Sequence, residues 1–262
     1  MKIVIYRKTD VGSVRSVNED NFIIISNFQN EMVPANPINP WKVLSKEEIN
    51  NGIYLCVIDG MGGMGNGDVA SETIASKIIS IWNELKELTP SDLPRISLER
   101  ANDFIQLVVS KNPQYHNMGA VATCCYIFNN KAYISHVGDT RLYLFRDSKL
   151  SQITEDQSLV AELVRAGRLT PEQAEVHPER HIVTQAIGPH KTIKTADYDL
   201  QVQAGDKLLL CSDGLSGLVR DSDIEKILTE KNGESCINTL IKKAKENGGD
   251  DNITLVIAEL SA

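Results

Sequence analysis

The 262-residue sequence predicts an α+β fold in which antiparallel sheets are packed between layers of helices. Three observations predict it. Short apolar runs, many β-branched, are closed off by Gly, Asn, Asp or Pro; turn-forming pairs sit between or after such runs; two longer segments carry helical periodicity.

The apolar runs cover 3–6, 22–26, 53–58, 121–128, 132–137, 142–145, 207–211 and 253–259. Their length and punctuation mark strands rather than helices. Asn129-Asn130 separates two runs and Asp147-Ser148 follows another, so these strands are predicted to be antiparallel neighbours joined by tight hairpins. Across 68–88, Val69, Ile74, Ile78, Ile81, Trp82 and Leu85 fall on one stripe. Across 93–109, Ile96, Ala101, Phe104, Ile105 and Val108 do the same. Shorter helices are predicted over 159–166, 221–229 and 236–247. No internal repeat or low-complexity linker divides the chain, so residues 1–262 read as a single domain. Two stretches stand outside the pattern. Segment 27–51 is rich in Asn and Pro and reads as an inserted surface loop, and 155–189 is a partly helical excursion.

Composition narrows the function classes. Hydrophobic residues make up 42% of the chain, enough for a sizeable core. With 27 basic against 35 acidic residues, the net charge of −8 argues against a nucleic-acid surface or an anionic-membrane anchor. No apolar run approaches the ~20 residues that span a bilayer. Arg7-Lys8 interrupts the N-terminal apolar run too early for a signal-peptide core. The five cysteines (Cys56, Cys124, Cys125, Cys211, Cys236) show no C-x-x-C spacing and read as small buried hydrophobes. A soluble, cytoplasmic protein is the expectation.

Five aspartates sit at strand ends. Asp59, Asp139 and Asp213 follow runs, whereas Asp20 and Asp251 precede them. In antiparallel sheets the end of one strand and the start of its neighbour share an edge, so all five are predicted to meet on one rim. Singly, each is an ordinary turn residue. Together they repel unless a proton or cation holds them, and an all-oxygen donor set suits Mg²⁺ or Mn²⁺, with Ca²⁺ a further candidate. The histidines show no metal-ligand spacing, which weighs against zinc. The nine residues Asp59 to Gly67 hold five glycines between a strand and a helix. They lack the Lys-Ser/Thr of a P-loop and the spacing of a dinucleotide fingerprint.

At these residues the chain resembles the PP2C-type metal-dependent protein serine/threonine phosphatases (the PPM family), in their bacterial form. The resemblance rests on seven blocks in family order: Arg15-Ser16-Val17-Asn18-Glu19-Asp20; Asp59-Gly60-Met61-Gly62-Gly63; Met118-Gly119-Ala120; Gly138-Asp139-Thr140-Arg141; Ile153 to Ser158 through Ala186-Ile187-Gly188; Ser212-Asp213-Gly214-Leu215; and Asp250-Asp251-Asn252-Ile253-Thr254. It implies a four-layer α/β/β/α sandwich with a two-metal centre at one edge. It further implies Asp20, Asp59, Asp213 and Asp251 as side-chain metal ligands and Gly60 as a carbonyl ligand. Asp139 would serve a weaker third ion, Arg15 would grip the substrate phosphate, and Glu19 would accept a hydrogen bond from metal-bound water. The implied reaction is hydrolysis of phosphoserine or phosphothreonine by in-line attack of a hydroxide shared by two Mg²⁺ or Mn²⁺ ions. The implied partners are phosphorylated proteins and a cognate serine/threonine kinase, with 155–189 as a flap that helps choose the protein substrate.

Three positions depart from the family pattern. Met61 stands where animal-type members carry a histidine, Gly217 replaces a further aspartate, and Ala120-Val121 replaces two threonines. Two competing readings fit the same residues: a catalytically silent scaffold, and a metal-dependent phosphodiesterase or small-molecule phosphatase.

Overall fold

The structure, a computed structural model, describes residues 1–26, 29–32, 41–43, 52–62 and 66–262. Within them lie two six-stranded sheets. The first runs β4 (Trp41–Val43), β1 (Lys2–Asp10), β12 (Ile253–Ser261), β11 (Lys207–Cys211), β8 (Arg141–Arg146), β9 (Lys149–Gln152). The second runs β10 (Ala196–Gln201), β7 (Lys131–Val137), β6 (Gly119–Phe128), β5 (Ile53–Met61), β2 (Asp20–Ser26), β3 (Gln29–Met32). All pairings are antiparallel. Both predicted hairpins form. Asn129 and Asn130 join β6 to β7, Asp147 and Ser148 join β8 to β9, and all four have positive φ between 49° and 60°, the conformation of a type I′ turn.

Strands buried on both faces explain the continuous apolar runs. In β5, Tyr54, Cys56 and Ile58 pack against helices, while Ile53, Leu55 and Val57 face the other sheet. In β12, Ile253, Leu255 and Ile257 meet the opposite helical layer, and Val256, Ala258 and Leu260 turn inward. The outer layer on the second sheet is α1 (Gly67–Ser80), α2 (Trp82–Leu85) and α3 (Leu93–Lys111). On the first sheet it includes α7 (Asp221–Glu230) and α8 (Gly233–Glu246). Short helices α4 (Leu159–Arg165), α5 (Pro171–Glu175) and α6 (Asp213–Ser216) lie between. The architecture is the expected α/β/β/α sandwich, with three apolar layers between four structural ones.

Some boundaries differ from the sequence reading. The helix predicted over 68–88 breaks at Ile81, whose φ of −100° and ψ of 7° leave the helical region. The apolar stripe nevertheless continues, because Trp82 turns in to meet Tyr54 and Tyr126 with ring centroids at 5.5 and 6.3 Å. Strand β10 escaped prediction because Asp197 and Asp199 alternate with Ala196, Tyr198 and Leu200 on an edge strand. Within the expected surface loop 27–51, the described residues form β3 and β4 on the sheet edges, and the remainder lies outside the described residues. Among the described residues no helix is long and apolar enough to cross a membrane.

The layer between the sheets carries a direct stability test. Leu210 is fully buried there. Leu210→Ala is expected to cost about 2–5 kcal/mol in urea unfolding, the transfer term plus a cavity that two flat sheets cannot close. A loss below about 1 kcal/mol would show that the sheets collapse onto the gap.

Candidate metal centre

The site grows out of the end of that inner layer. On β2 the inward parity of Phe22 and Ile24 continues to Asp20, and on β5 that of Leu55 and Val57 continues to Asp59. The antiparallel register sets Asp20 directly opposite Asp59. From the other sheet, the parity of Leu208 and Leu210 continues to Ser212, and that of Val256 to Thr254. Both hydroxyls hydrogen-bond the Asp20 carboxylate, Ser212 Oγ at 2.7 Å. Asp213 follows Ser212 as the first residue of α6, Asp251 precedes β12, and Asp139 follows Gly138 beyond β7.

Asp59 feels the other four carboxylates. Burial pushes the Asp59 carboxyl well above the usual range, and Asp20, Asp213, Asp139 and Asp251 push it further. Burial likewise raises Asp20 to about 7, against the pull of Ser212 and Thr254. Asp139 rises through burial, then through Asp213 and Asp156. Asp213 rises through burial, then through Asp251, with Asp59 close beside it. Asp213 Oδ1 is buried without any hydrogen-bond partner. An orphaned carboxylate oxygen among other carboxylates, with no nitrogen or sulfur donor, fits a hard divalent cation. Among the described residues no three Asp, Glu, His or Cys side chains already close around a single point. An ion would draw the carboxylates together from positions that share one field.

The loop 11–19 covers this rim. Its anchor is the buried Asn252, whose amide donates to the Val11 and Val17 carbonyls, both at 3.0 Å, and whose Oδ1 accepts the Glu19 N–H at 2.7 Å. Gly12 has φ +84°, and a Cβ there would fall 2.3 Å from the Asp251 carbonyl oxygen, so only glycine lets the loop lie this close. Arg15, on the loop, donates to Asp251 Oδ2 at 2.8 Å with both side chains partly exposed. Glu19 accepts the Gly67 N–H at the start of α1, and burial raises its carboxyl despite that bond. The Gly60 carbonyl packs against Gly67, where a Cβ on Gly67 would fall 2.7 Å from it.

The turn bearing Asp139 is held from below. Thr123 Oγ1 contacts His136 Nδ1 at 2.9 Å and Thr140 Oγ1 at 2.8 Å, all buried. Burial lowers His136 to about 4 and keeps it neutral. Arg141 grips Asp156 through two nitrogens. In the flap, His181 lies near enough for its charge to act on Asp213. His177 instead accepts the Glu179 N–H. The sequence reading did not single out Asn252, Ser212 or Thr254. Their signal is polar residues at the inward parity of two apolar strands.

Residues 6–165 match the family model described as protein phosphatase 2C. The chain belongs to the protein phosphatase 2C family. It is 33% identical to the serine/threonine phosphatase stp of Listeria welshimeri over 257 residues, 96% of this chain and 94% of that one. The crystal structure of serine/threonine phosphatase Stp1 from Staphylococcus aureus superposes with a TM-score of 0.85 at 29% identity, covering 98% of this chain and 95% of that one. The catalytic domain of the serine/threonine protein phosphatase PstP, solved in complex with two manganese ions, gives 0.77 at 29% identity, covering 100% of both chains. The chain is therefore a protein serine/threonine phosphatase, a hydrolase of the bacterial branch of this family.

The raised carboxyls of this phosphatase predict how its stability responds to pH. Folded Asp20 titrates near 7, against about 3.9 for an unfolded aspartate, so the folded state holds the proton more tightly. In EDTA, the stability contributed by Asp20 should fall as pH rises from about 4 to about 7 and then level off, with Asp59 and Asp139 acting in the same direction. Mn²⁺ should accordingly raise Tm more at about pH 8 than at about pH 5, since ligands must lose protons to bind. Thermal scans giving equal Mn²⁺ shifts at both pH values would remove these carboxylates from the binding site.

Proposed function

We propose that this phosphatase hydrolyses phosphoserine and phosphothreonine on proteins with two divalent cations, Mg²⁺ or Mn²⁺, held by Asp20, Asp59, Asp213, Asp251 and the Gly60 carbonyl. Asp139 stands toward a weaker third ion. The observation that carries this reading is the buried Asp213 Oδ1, left without a hydrogen-bond partner among neighbouring carboxylates. The PstP catalytic domain with two manganese ions supports the count of two. Bound there, such ions would lower the pKa of water and offset the charge on the phosphoryl oxygens, the chemistry that in-line hydrolysis of a seryl or threonyl phosphate needs.

The chain's own groups hold and orient. Arg15 is fixed to the rim by one carboxylate and by the Asp250 carbonyl at 3.3 Å, and it is half exposed. Its planar fork can exchange Asp251 for two phosphate oxygens without leaving the rim. Glu19, tethered by Gly67 N–H, is a fixed acceptor for a water entering the site. Ser212, Thr254 and Asn252 keep Asp20 and the loop in place. Met61 offers no proton, so the leaving oxygen takes its proton from water. The partners are phosphorylated proteins, and a serine/threonine kinase supplies them. The presence of Asp20, Asp59, Asp213, Asp251 and Arg15 together supports this reading over a silent scaffold.

Turnover of a phosphothreonine peptide should require Mn²⁺ or Mg²⁺ and stop in EDTA. Asp213→Ala should lower kcat/KM at least a hundredfold with the fold intact by circular dichroism. Retention of more than about a tenth of wild-type kcat/KM, a loss under ~1.4 kcal/mol, would sink the two-metal assignment. Arg15→Lys should raise KM for phosphopeptides, because a point charge replaces a two-pronged grip. Unchanged KM and kcat in that variant would mean that another group holds the phosphate.

A further inference from the structure

Apolar side chains are left on the surface where the covering loop meets the rim. Among the described residues seven large hydrophobic side chains are exposed, and three of them, Val11, Val14 and Val17, fall within seven consecutive positions of the loop 11–19. Val14 is 69% exposed and Val17 48%. Scattered surface valines are ordinary, but three of seven on one short loop are a concentration. The loop does not need Val14 or Val17 for its own shape. Its path is fixed through backbone and polar groups: Asn252 holds the Val11 and Val17 carbonyls, the Ser13 N–H donates to the Gly249 carbonyl at 2.8 Å, and the Gly12 N–H donates to Asp10 Oδ1 at 2.9 Å. The two side chains bury little in the fold, yet the backbone that carries them is tethered.

Their place says what could cover them. Arg15 lies between Val14 and Val17 in sequence and reaches the rim, where it donates to Asp251 Oδ2 at 2.8 Å and to the Asp250 carbonyl at 3.3 Å. With a phosphate on Arg15, the chain that carries the phosphate must pass beside this loop. Neighbouring Cα atoms are about 3.8 Å apart, and an extended peptide advances roughly 3.3–3.6 Å per residue. Val14 and Val17 stand one and two positions from Arg15, so the peptide side chains within their reach are those one or two positions from the phosphorylated residue. The contact is chemically selective. Valine is stiff at χ1, and on a tethered backbone it loses little freedom when covered. It offers no hydrogen bond, so a polar neighbour that settles on it gives up water without return. An acidic neighbour also meets Glu19 and Asp251, which act on Arg15 from the same rim. An aliphatic neighbour gains by its burial.

We infer that Val14 and Val17 form an apolar ledge beside Arg15 that receives an aliphatic side chain one or two positions from the phosphorylated residue, so that this phosphatase selects phosphosites with a Leu, Ile, Val or Met neighbour. This rests on Arg15 gripping the substrate phosphate, as in the proposed function. The ledge takes no part in the chemistry. It sets how well a phosphopeptide is held, and a small aryl phosphate, which has no neighbouring residues, does not sense it.

The test compares kcat/KM at saturating Mn²⁺ for p-nitrophenyl phosphate and for two phosphothreonine peptides of equal length and charge. One peptide carries Leu, the other Ser, at the two positions on either side of the phosphothreonine. The wild type is expected to prefer the Leu peptide about tenfold, the low end of what a small apolar contact gives an enzyme. Val14→Ser and Val17→Ser should each lower that preference, and the double variant should bring it to about twofold or less, with p-nitrophenyl phosphate turnover unchanged. Leu107→Ser removes an equally exposed apolar side chain from α3 and should leave the preference at the wild-type level. Equal turnover of both peptides by the wild type overturns the ledge, as does a double variant that keeps the full preference. A double variant that loses p-nitrophenyl phosphate turnover in step with the Leu peptide overturns it as well, since the valines would then serve the fold or the chemistry. A wild type that sediments as a dimer, with the double variant a monomer, would give the valines to a second copy of this chain and overturn the ledge too. Failure of the underlying reading looks different: the wild type with Mn²⁺ would hydrolyse neither peptide, and the ledge would fall with it.

Discussion

The constraint on which the molecule depends is the mutual repulsion of buried carboxylates at one end of its inner core. Asp20 is buried and Asp59, Asp139 and Asp213 are half-buried, and the lost solvent and their neighbours push their carboxyls upward. A fold that crowds like charges this way loses stability unless something else holds them. The three apolar layers supply that reserve. Their strands are packed on both faces, so the rim is carried by backbone that has little freedom to relax away from the repulsion.

Rigid support continues into the polar groups. Ser212 and Thr254 reach Asp20 from the opposite sheet, so the two halves of the sandwich meet at a carboxylate as well as through the core. Asn252 ties the covering loop to the start of β12 with three hydrogen bonds. Arg15, on the covering loop, is held by Asp251 and the Asp250 carbonyl yet stays half exposed at the rim.

Much of this was legible in the chain. The β-branched runs, the Asn129-Asn130 and Asp147-Ser148 turns and the five strand-end aspartates translate into pairing, hairpins and rim without correction. The layer order was not legible from periodicity, because a strand buried on both faces carries no alternation to say which face meets helix. Strand β10 was hidden by its aspartates, and the break at Ile81 by an unbroken apolar stripe whose direction changes to seat Trp82. Asn252 stands at the inward parity of an apolar strand, which marks it as unusual, but which backbone groups it satisfies, as far as 241 residues away, is set by the fold.

Because Asp20 faces Asp59 across β2 and β5, strand register and ligand geometry are the same choice. A slip of β2 by one residue would turn Asp20 toward the helical layer and bring Glu19 or Asn21 to its place on the rim, since successive residues point to opposite faces. The slipped pairing could still bury much of its hydrocarbon, as both faces of these strands are apolar, so hydrophobicity discriminates weakly between registers here. The carboxylates discriminate strongly. A cation present while the sheet assembles stabilises only the pairing that lines them up, and in this sense the ion would proofread the fold as well as serve its chemistry.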